Sequence, residues 1–261
     1  MLKNRLIPVL LLKDGSLVRS QEFNFHQVIG NPIHEVARFN EWNVDELIYL
    51  DISFGKAFDV GRPDTRVPSF RDNLDILKRV SKKCFMPLTW GGGIRDIHHA
   101  SLIFKNGADK VVINSQAFRA PSLIEEFANR FGSQAVVVGI DFKGDGGEYE
   151  VCVDGGRKST GTCPIDWAKD AEARGAGEIL LQSINRDGTG VGYDLKLIEA
   201  VAKHLTVPVI ALGGVGTFEH YAKAVEVGAS AVAAANIWHF KEMADRSGKR
   251  ALAKAGINVR L

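Results

Sequence analysis

Three groups of residues in this chain have the kind and the placing that chemistry requires. Asp141 ends the otherwise wholly apolar run Ala135-Val-Val-Val-Gly-Ile-Asp. A carboxylate at the low-dielectric mouth of such a strand has its pKa raised and can exchange protons near neutral pH. A loop-capping aspartate is the plainer reading, and both stay open. Arg5, Glu46, Lys110 and Glu178 each stand immediately before an apolar run. If the four converge, two cations and two anions pair into a ring with nearly balanced alternative pairings, which is how a gate is built. Ordinary solvation of strand starts is the competing account. The third group is glycine: Gly92-Gly93 follows Pro87-Leu88-Thr89-Trp90-Gly91, and Gly213-Gly214 follows Pro208-Val209-Ile210-Ala211-Leu212. Glycines directly after a strand let backbone N–H groups close on a ligand, and the positive end of the next helix favours an anion. The two phrases read as a pair of phosphate cradles.

Those phrases, with the Gly107-Ala108 and Gly228-Ala229 that follow them, recur at a constant offset of 121 positions, so the chain is a duplication. Each copy reads as strand, glycines, helix and second strand, a βαβ unit. Apolar runs of strand length fall at Arg5–Leu12, Glu46–Ile52, Met86–Trp90, Lys110–Asn114, Ala135–Phe142, Glu178–Ile184, Pro208–Leu212 and Ala231–Ala235. Helical period marks Ile33–Trp42, Asn73–Val80, Pro121–Phe131, Ile165–Arg174, Leu195–His204 and Thr217–Val227. Eight alternations predict an α/β chain closed as a (β/α)8 barrel made of two half-barrels. An open doubly wound sheet is the runner-up, and it leaves the two equivalent halves unexplained.

In a barrel, function gathers at the C-terminal ends of the strands. Lys13, Asp14, Asp51, Asn114, Ser115, Asp141, Ser183, Asn185 and Asn236 fall there, whereas Arg5, Glu46, Lys110 and Glu178 belong to the opposite mouth. The histidines form no constellation: His98 and His99 fall in a helix, His26 in a loop, His220 in a helix and His239 in the C-terminal segment. Each reads as structural. Leu10-Leu11 aligns with Ile140-Asp141 at an offset of 130 and Asp45-Glu46 with Gly177-Glu178 at 132, before the offset falls to 121. The first half therefore carries about eleven extra residues, assigned to the Gly/Pro-punctuated stretch Ser53–Phe70 after the second strand. It is a tolerated surface insertion, or else a lid or docking surface.

Length and composition bound the rest. A chain of 261 residues that is 45% hydrophobic suits a single domain over residues 1–261. Charge is nearly balanced, 33 Lys+Arg against 31 Asp+Glu, with no basic run beyond Lys82-Lys83, so neither nucleic acid nor a membrane is expected as partner. A small anionic metabolite fits better. Cys84, Cys152 and Cys163 are scattered without metal-type spacing, which points to the reducing cytoplasm and to no metal or cofactor. The apolar run Leu6–Leu12 meets Lys13-Asp14-Gly15 instead of a small-residue cleavage site and reads as the first strand.

Met1-Leu-Lys-Asn-Arg-Leu-Ile, Asp45-Glu-Leu-Ile-Tyr-Leu-Asp-Ile, Trp90-Gly-Gly-Gly-Ile, Gly107-Ala-Asp-Lys-Val, Gly132-Ser-Gln-Ala-Val-Val-Val, Arg174-Gly-Ala-Gly-Glu-Ile-Leu-Leu, Arg186-Asp-Gly-Thr and Asn258-Val-Arg-Leu resemble the HisF family. HisF is the cyclase subunit of imidazole glycerol phosphate synthase, and the resemblance covers nearly the whole chain. It implies a HisH-type glutaminase docked on the N-terminal face, releasing ammonia through the charged gate along the barrel axis. At the top, ammonia meets the bisphosphorylated ribulosyl-formimino-AICAR nucleotide and yields imidazole glycerol phosphate and AICAR nucleotide. The same resemblance assigns Arg5, Glu46, Lys110 and Glu178 to the gate, and Asp141 to one half of the acid/base pair. One substrate phosphate goes to Gly92, Gly93, Asn114 and Ser115, the other to Gly213, Gly214, Ala235 and Asn236. Lys13, Arg19, Asp51, Ser183 and Asn185 complete the ligand-binding set.

Two positions depart from the family pattern. Its first catalytic aspartate falls on Leu11, which cannot accept, donate or orient a proton, and its usual aspartate near the second phosphate falls on Asn185, where an amide keeps the shape without the charge. Loss of one general acid/base typically costs ~100- to 10,000-fold in rate. With the cradles and gate intact, the chain resembles divergent HisF paralogues found beside a HisH-like glutaminase and a sugar amidotransferase in surface-polysaccharide pathways. In that expectation the barrel relays ammonia for amidation of a nucleotide sugar, and Ser53–Phe70 docks the acceptor enzyme. The alternative is the ordinary cyclase of histidine biosynthesis, with another group replacing the function lost at Leu11. A scaffold without a ligand accounts poorly for two intact glycine cradles.

Overall fold

The computed structural model describes residues 3–42, 44–53 and 70–260. The proposed insertion at Ser53–Phe70 thus lies largely, over residues 54–69, outside the described residues. The first half of the chain runs β1 (Arg5–Lys13), β2 (Ser16–Gln21), β3 (Phe25–Gly30), α1 (Pro32–Glu41), β4 (Leu47–Asp51), α2 (Asn73–Ser81), β5 (Leu88–Gly91), α3 (Ile97–Lys105), β6 (Lys110–Ile113), α4 (Ser115–Arg119) and α5 (Ser122–Phe131). The second half runs β7 (Val136–Asp145), β8 (Glu148–Val153), β9 (Lys158–Ser159), α6 (Pro164–Ala173), β10 (Glu178–Ser183), α7 (Leu195–His204), β11 (Val209–Leu212), α8 (Glu219–Glu226), β12 (Ala231–Ala234), α9 (Ile237–Phe240) and α10 (Ala244–Lys254). Parallel pairing proceeds β1–β4–β5–β6–β7–β10–β11–β12 and returns from β12 to β1 through Arg5↔Ala231 to Pro8↔Ala234. Closure makes this a (β/α)8 barrel and excludes the open sheet.

Near-continuous apolar strands are what a barrel needs, because each strand is buried on both faces. On β1, Leu6, Leu10 and Leu12 face the helices and join the large outer core. Ile7, Val9 and Leu11 point inward, where they meet Ile48, Val112, Val137, Leu180, Ile210 and Leu212 in a separate cluster along the axis. Side-chain caps start the helices: Asn31 accepts from Ile33 N, Asp72 from Asp75 N, Asp96 from His99 N and Asp194 from Leu197 N. Each such cap stabilises by about 1 kcal/mol. Gly107 and Gly228 end equivalent turns at φ +101° and +111°, and a Cβ there would sit 2.6 Å from Ser81 Cβ and 2.9 Å from Ala202 Cβ. The repeated glycine therefore lets the chain turn tightly against the preceding helix in both halves.

The duplication is geometric as well as sequential. β5 and β11, and β6 and β12, start and stop at positions that differ by the same 121 residues seen in the sequence. Sequence patterning misses the hairpins on the C-terminal face: β1 continues into antiparallel β2 through Leu11↔Val18, and β7 into β8 through Asp141↔Cys152. Polar residues interrupt β2 and β3, so neither carries an apolar run. One correction follows. His26, expected in a loop, lies on β3 paired with Ser20.

Candidate active site

At the N-terminal mouth the four ions do converge. Arg5 Nη1 lies 2.6 Å from Glu46 Oε1 and 2.9 Å from Glu178 Oε1, and Lys110 Nζ lies 3.2 and 3.0 Å from the same two atoms. Each cation bridges both carboxylates, so the ring is closed. Glu46 and Glu178 are equivalent positions of the two halves and both are buried. Both cations come from the first half. Solvation of strand starts is thereby excluded as the account of these residues, since water is replaced by ion pairs with four shared contacts. Above the ring, the inward apolar cluster fills the axis up to Leu11, Leu50, Ile52 and Ala235 at the other end.

The C-terminal mouth holds a cavity of about 380 Å³ lined by Leu11, Asp51, Gly92, Gly93, Asn114, Ser115 and Asp141 among others. Leu11 on β1 and Asp141 on β7 are equivalent positions on opposite walls. Asp141 is buried, which pushes its carboxyl up to about 7; a hydrogen bond from Asn114 works against that rise and the charge of Asp187 adds to it. Burial also raises Asp51, against hydrogen bonds from Ser53 N at 2.9 Å and from Asn73 Nδ2. A carboxyl poised near neutrality in a concave, mostly apolar site can take or give a proton in either direction.

Gly92 and Gly93 have φ of +100° and +65°, but their surroundings differ. A Cβ on Gly92 would lie 2.1 Å from Asp51 O, whereas one on Gly93 would meet nothing within 4 Å. Gly92 is thus required by packing, and Gly93 leaves its backbone open towards the cavity. Gly92→Ala is expected to destabilise the protein by more than about 2 kcal/mol, and Gly93→Ala by about 1 kcal/mol, in urea unfolding. Equal costs would refute this division of labour.

The remaining ligand-binding candidates lie away from that cavity's lining. Lys13 Nζ approaches His26 Nδ1 at 3.1 Å, and the Arg19 guanidinium sits over the Phe240 ring, 5.4 Å from its centroid. Gly213 and Gly214 pack on Ser183 O and Gly192 O. Ser183 is buried, Ala235 packs on the inner cluster, and Asn236 Nδ2 donates to Ser20 O at 2.8 Å. Asn185 is exposed and its Oδ1 accepts from Gly144 N at 3.1 Å, so it fixes the start of the β7–β8 turn. Sequence reasoning missed Arg95, Arg119 and Asp154 on the cavity wall. Arg119 pairs with Asp154, whose N–H donates to Ser115 Oγ at 2.8 Å. A basic residue shortly after each of Gly93 and Ser115 was the available signal.

Comparison with known proteins agrees with this geometry. The family model described as "Histidine biosynthesis protein" matches residues 5–244. "Imidazole glycerol phosphate synthase subunit HisF" of Hyphomonas neptunium is 44% identical over 261 residues, covering 100% of this chain and 99% of its own. The protein of the same name from Pyrobaculum aerophilum is 42% identical over 259 residues, 98% of each chain. That from Thermotoga sp. is 42% identical over 261 residues, 100% of this chain and 99% of its own. With a closed barrel, matched half-barrels and end-to-end similarity at this level, the chain belongs to the HisF family.

Proposed function

We propose that this chain is the cyclase subunit of an imidazole glycerol phosphate synthase, joining ammonia to the ribulosyl-formimino-AICAR nucleotide to give imidazole glycerol phosphate and AICAR nucleotide. One observation carries the reading: a closed ion ring, an apolar axis and a carboxyl poised near neutrality stand in series from one mouth of the barrel to the other. Uncharged ammonia crosses an apolar axis far more readily than ammonium does, because a bare ion loses its hydration there. In this reading a HisH-type glutaminase docks over the ring on the N-terminal face, in the cytoplasm, and Asp141 moves protons at the opposite mouth. Gly92, Gly93, Asn114 and Ser115 hold one phosphate, with the charges of Arg95 and Arg119 beside them. Gly213, Gly214, Ala235 and Asn236 hold the other. The names and full-length similarity of the relatives support this cyclase reading over the ammonia relay that the sequence first suggested.

Leu11 is the observation that favours a second reading, in which ammonia passes on to a sugar amidotransferase for amidation of a nucleotide sugar. The purified chain, an ammonium salt and the ribulosyl-formimino substrate decide between them: formation of imidazole glycerol phosphate supports the cyclase, and its absence leaves the relay. Leu11→Asp restores a carboxyl opposite Asp141 and is expected to raise ammonium-dependent kcat by about tenfold, a modest part of what a general acid/base supplies. An unchanged or lower kcat would mean that position 11 has no part in proton transfer here.

A further inference from the structure

We propose that Lys13 and His26 form the proton-transfer unit of the first half of the mouth, acting across the cavity from Asp141 where Leu11 provides no ionisable group. The inference rests on the cyclase reading. The duplication supplies its first ground. Lys13 and Lys143 are equivalent, each two residues past the matched pair Leu11 and Asp141, and each reaches into the hairpin that follows its strand. In the second half Lys143 Nζ donates to Gly156 O at 2.8 Å. In the first half Lys13 Nζ reaches the same distance along the chain and meets His26 Nδ1 at 3.1 Å. One lysine holds a turn by a carbonyl that cannot titrate, whereas the other holds an imidazole that can. The half with Leu11 in place of a carboxyl is the half in which the lysine meets a histidine.

Position is the second ground. His26 lines the same cavity as Asp141 and Leu11. A lysine ammonium only donates, so Nδ1 of His26 accepts and Nε2 carries the hydrogen. Partial burial and then the Lys13 charge lower the pKa of this imidazole below its ordinary value, while the Asn24 backbone hydrogen bond acts against them. The unit can then work as a relay. Nε2 gives its proton to a substrate oxygen, Nδ1 takes one from the Lys13 ammonium, and water returns a proton to Lys13. The other cavity carboxylates are engaged: Asp51 accepts from Ser53 N and Asn73, and Asp154 is paired with Arg119. Among the described residues the other ionisable groups lining the cavity are Asp51, Arg95, Arg119, Asp141 and Asp154, and Lys13 touches His26 from outside that lining, so the pH response of His26 is read against these six.

The test is ammonium-dependent formation of imidazole glycerol phosphate by the full chain from pH 5 to 9, for the unmodified protein, His26→Gln and His26→Ala. His26 is only half-buried on a hairpin outside the barrel, so neither variant disturbs the core. The expected result is a fall in kcat of about 100-fold with KM little changed, an altered pH profile, and partial rescue of His26→Ala by added imidazole. If the unmodified chain turns over and His26→Gln matches it within about threefold at every pH, the relay is overturned and the cyclase reading stands. If the unmodified chain does not turn over at any pH, the cyclase reading fails and the Lys13–His26 proton relay falls with it.

Discussion

Asp141→Asn is expected to lower ammonium-dependent kcat by about 1,000-fold while leaving substrate affinity within a few fold, the pattern of a lost general acid/base. The amide fills the same space and can still accept from Asn114, so the loss reports proton transfer and not collapse of the site. The same substitution acts in the opposite direction on stability. Burial raises the folded-state pKa of Asp141 from 3.8 to about 7. Between those values the folded protein binds more protons than the unfolded chain, so stability falls as pH rises and the full penalty applies above about 7. An asparagine carries no such penalty. The variant should therefore be more stable than the parent at pH 8, by on the order of 4 kcal/mol, with the difference vanishing below pH 4. Urea unfolding at both pH values checks the sign. Equal stability at pH 8 would show that Asp141 ionises without cost, and its role as a poised acid would go with it.

The opposed effects of that one carboxyl explain what was legible in the sequence. The barrel was readable because its signals are local and repeated: buried parallel strands need continuous apolar runs, and the constant offset gives the halves away. Asp141 was legible for the same reason, as the sole polar residue in a run otherwise apolar. The ring was half legible, since four charges before four strands define a mouth but their pairing depends on barrel closure. The hairpins β2–β3 and β8–β9 were not legible. Their strands pair over the active-site face and not in the core, so their burial pattern is mixed and no alternation results. His26 and Asp154 reach the cavity on these hairpins and were passed over with them. A residue placed by a hairpin of this kind announces itself through a partner elsewhere, such as Lys13 or Ser115, and only coordinates bring the two together.

Removing one cation from the basal ring is the other substitution expected to have a large effect. In Lys110→Met, Glu46 and Glu178 would share Arg5 alone. Leaving one partner of a buried pair uncompensated costs about 3–5 kcal/mol, and these side chains are 9–20% exposed, so about 2–3 kcal/mol is expected here. The deficit has a pH signature. Two carboxylates facing one guanidinium favour proton uptake by one of them, which raises its folded-state pKa. The stability deficit should consequently shrink as pH falls from 8 to 5, whereas simple loss of packing would give a deficit independent of pH. Function provides an independent readout, because the ring closes the axis between the proposed glutaminase and the upper cavity. With a HisH-type partner present, glutamine-fed turnover should fall relative to ammonium-fed turnover by about tenfold, equivalent to about 1.4 kcal/mol in the coupling between the two reactions. Ammonium supplied in bulk reaches the upper mouth directly from solvent and should sustain turnover as before. A variant that loses stability but keeps the glutamine-to-ammonium ratio would make the ring a structural plug, and one that keeps both would show that the ring contributes neither to stability nor to coupling.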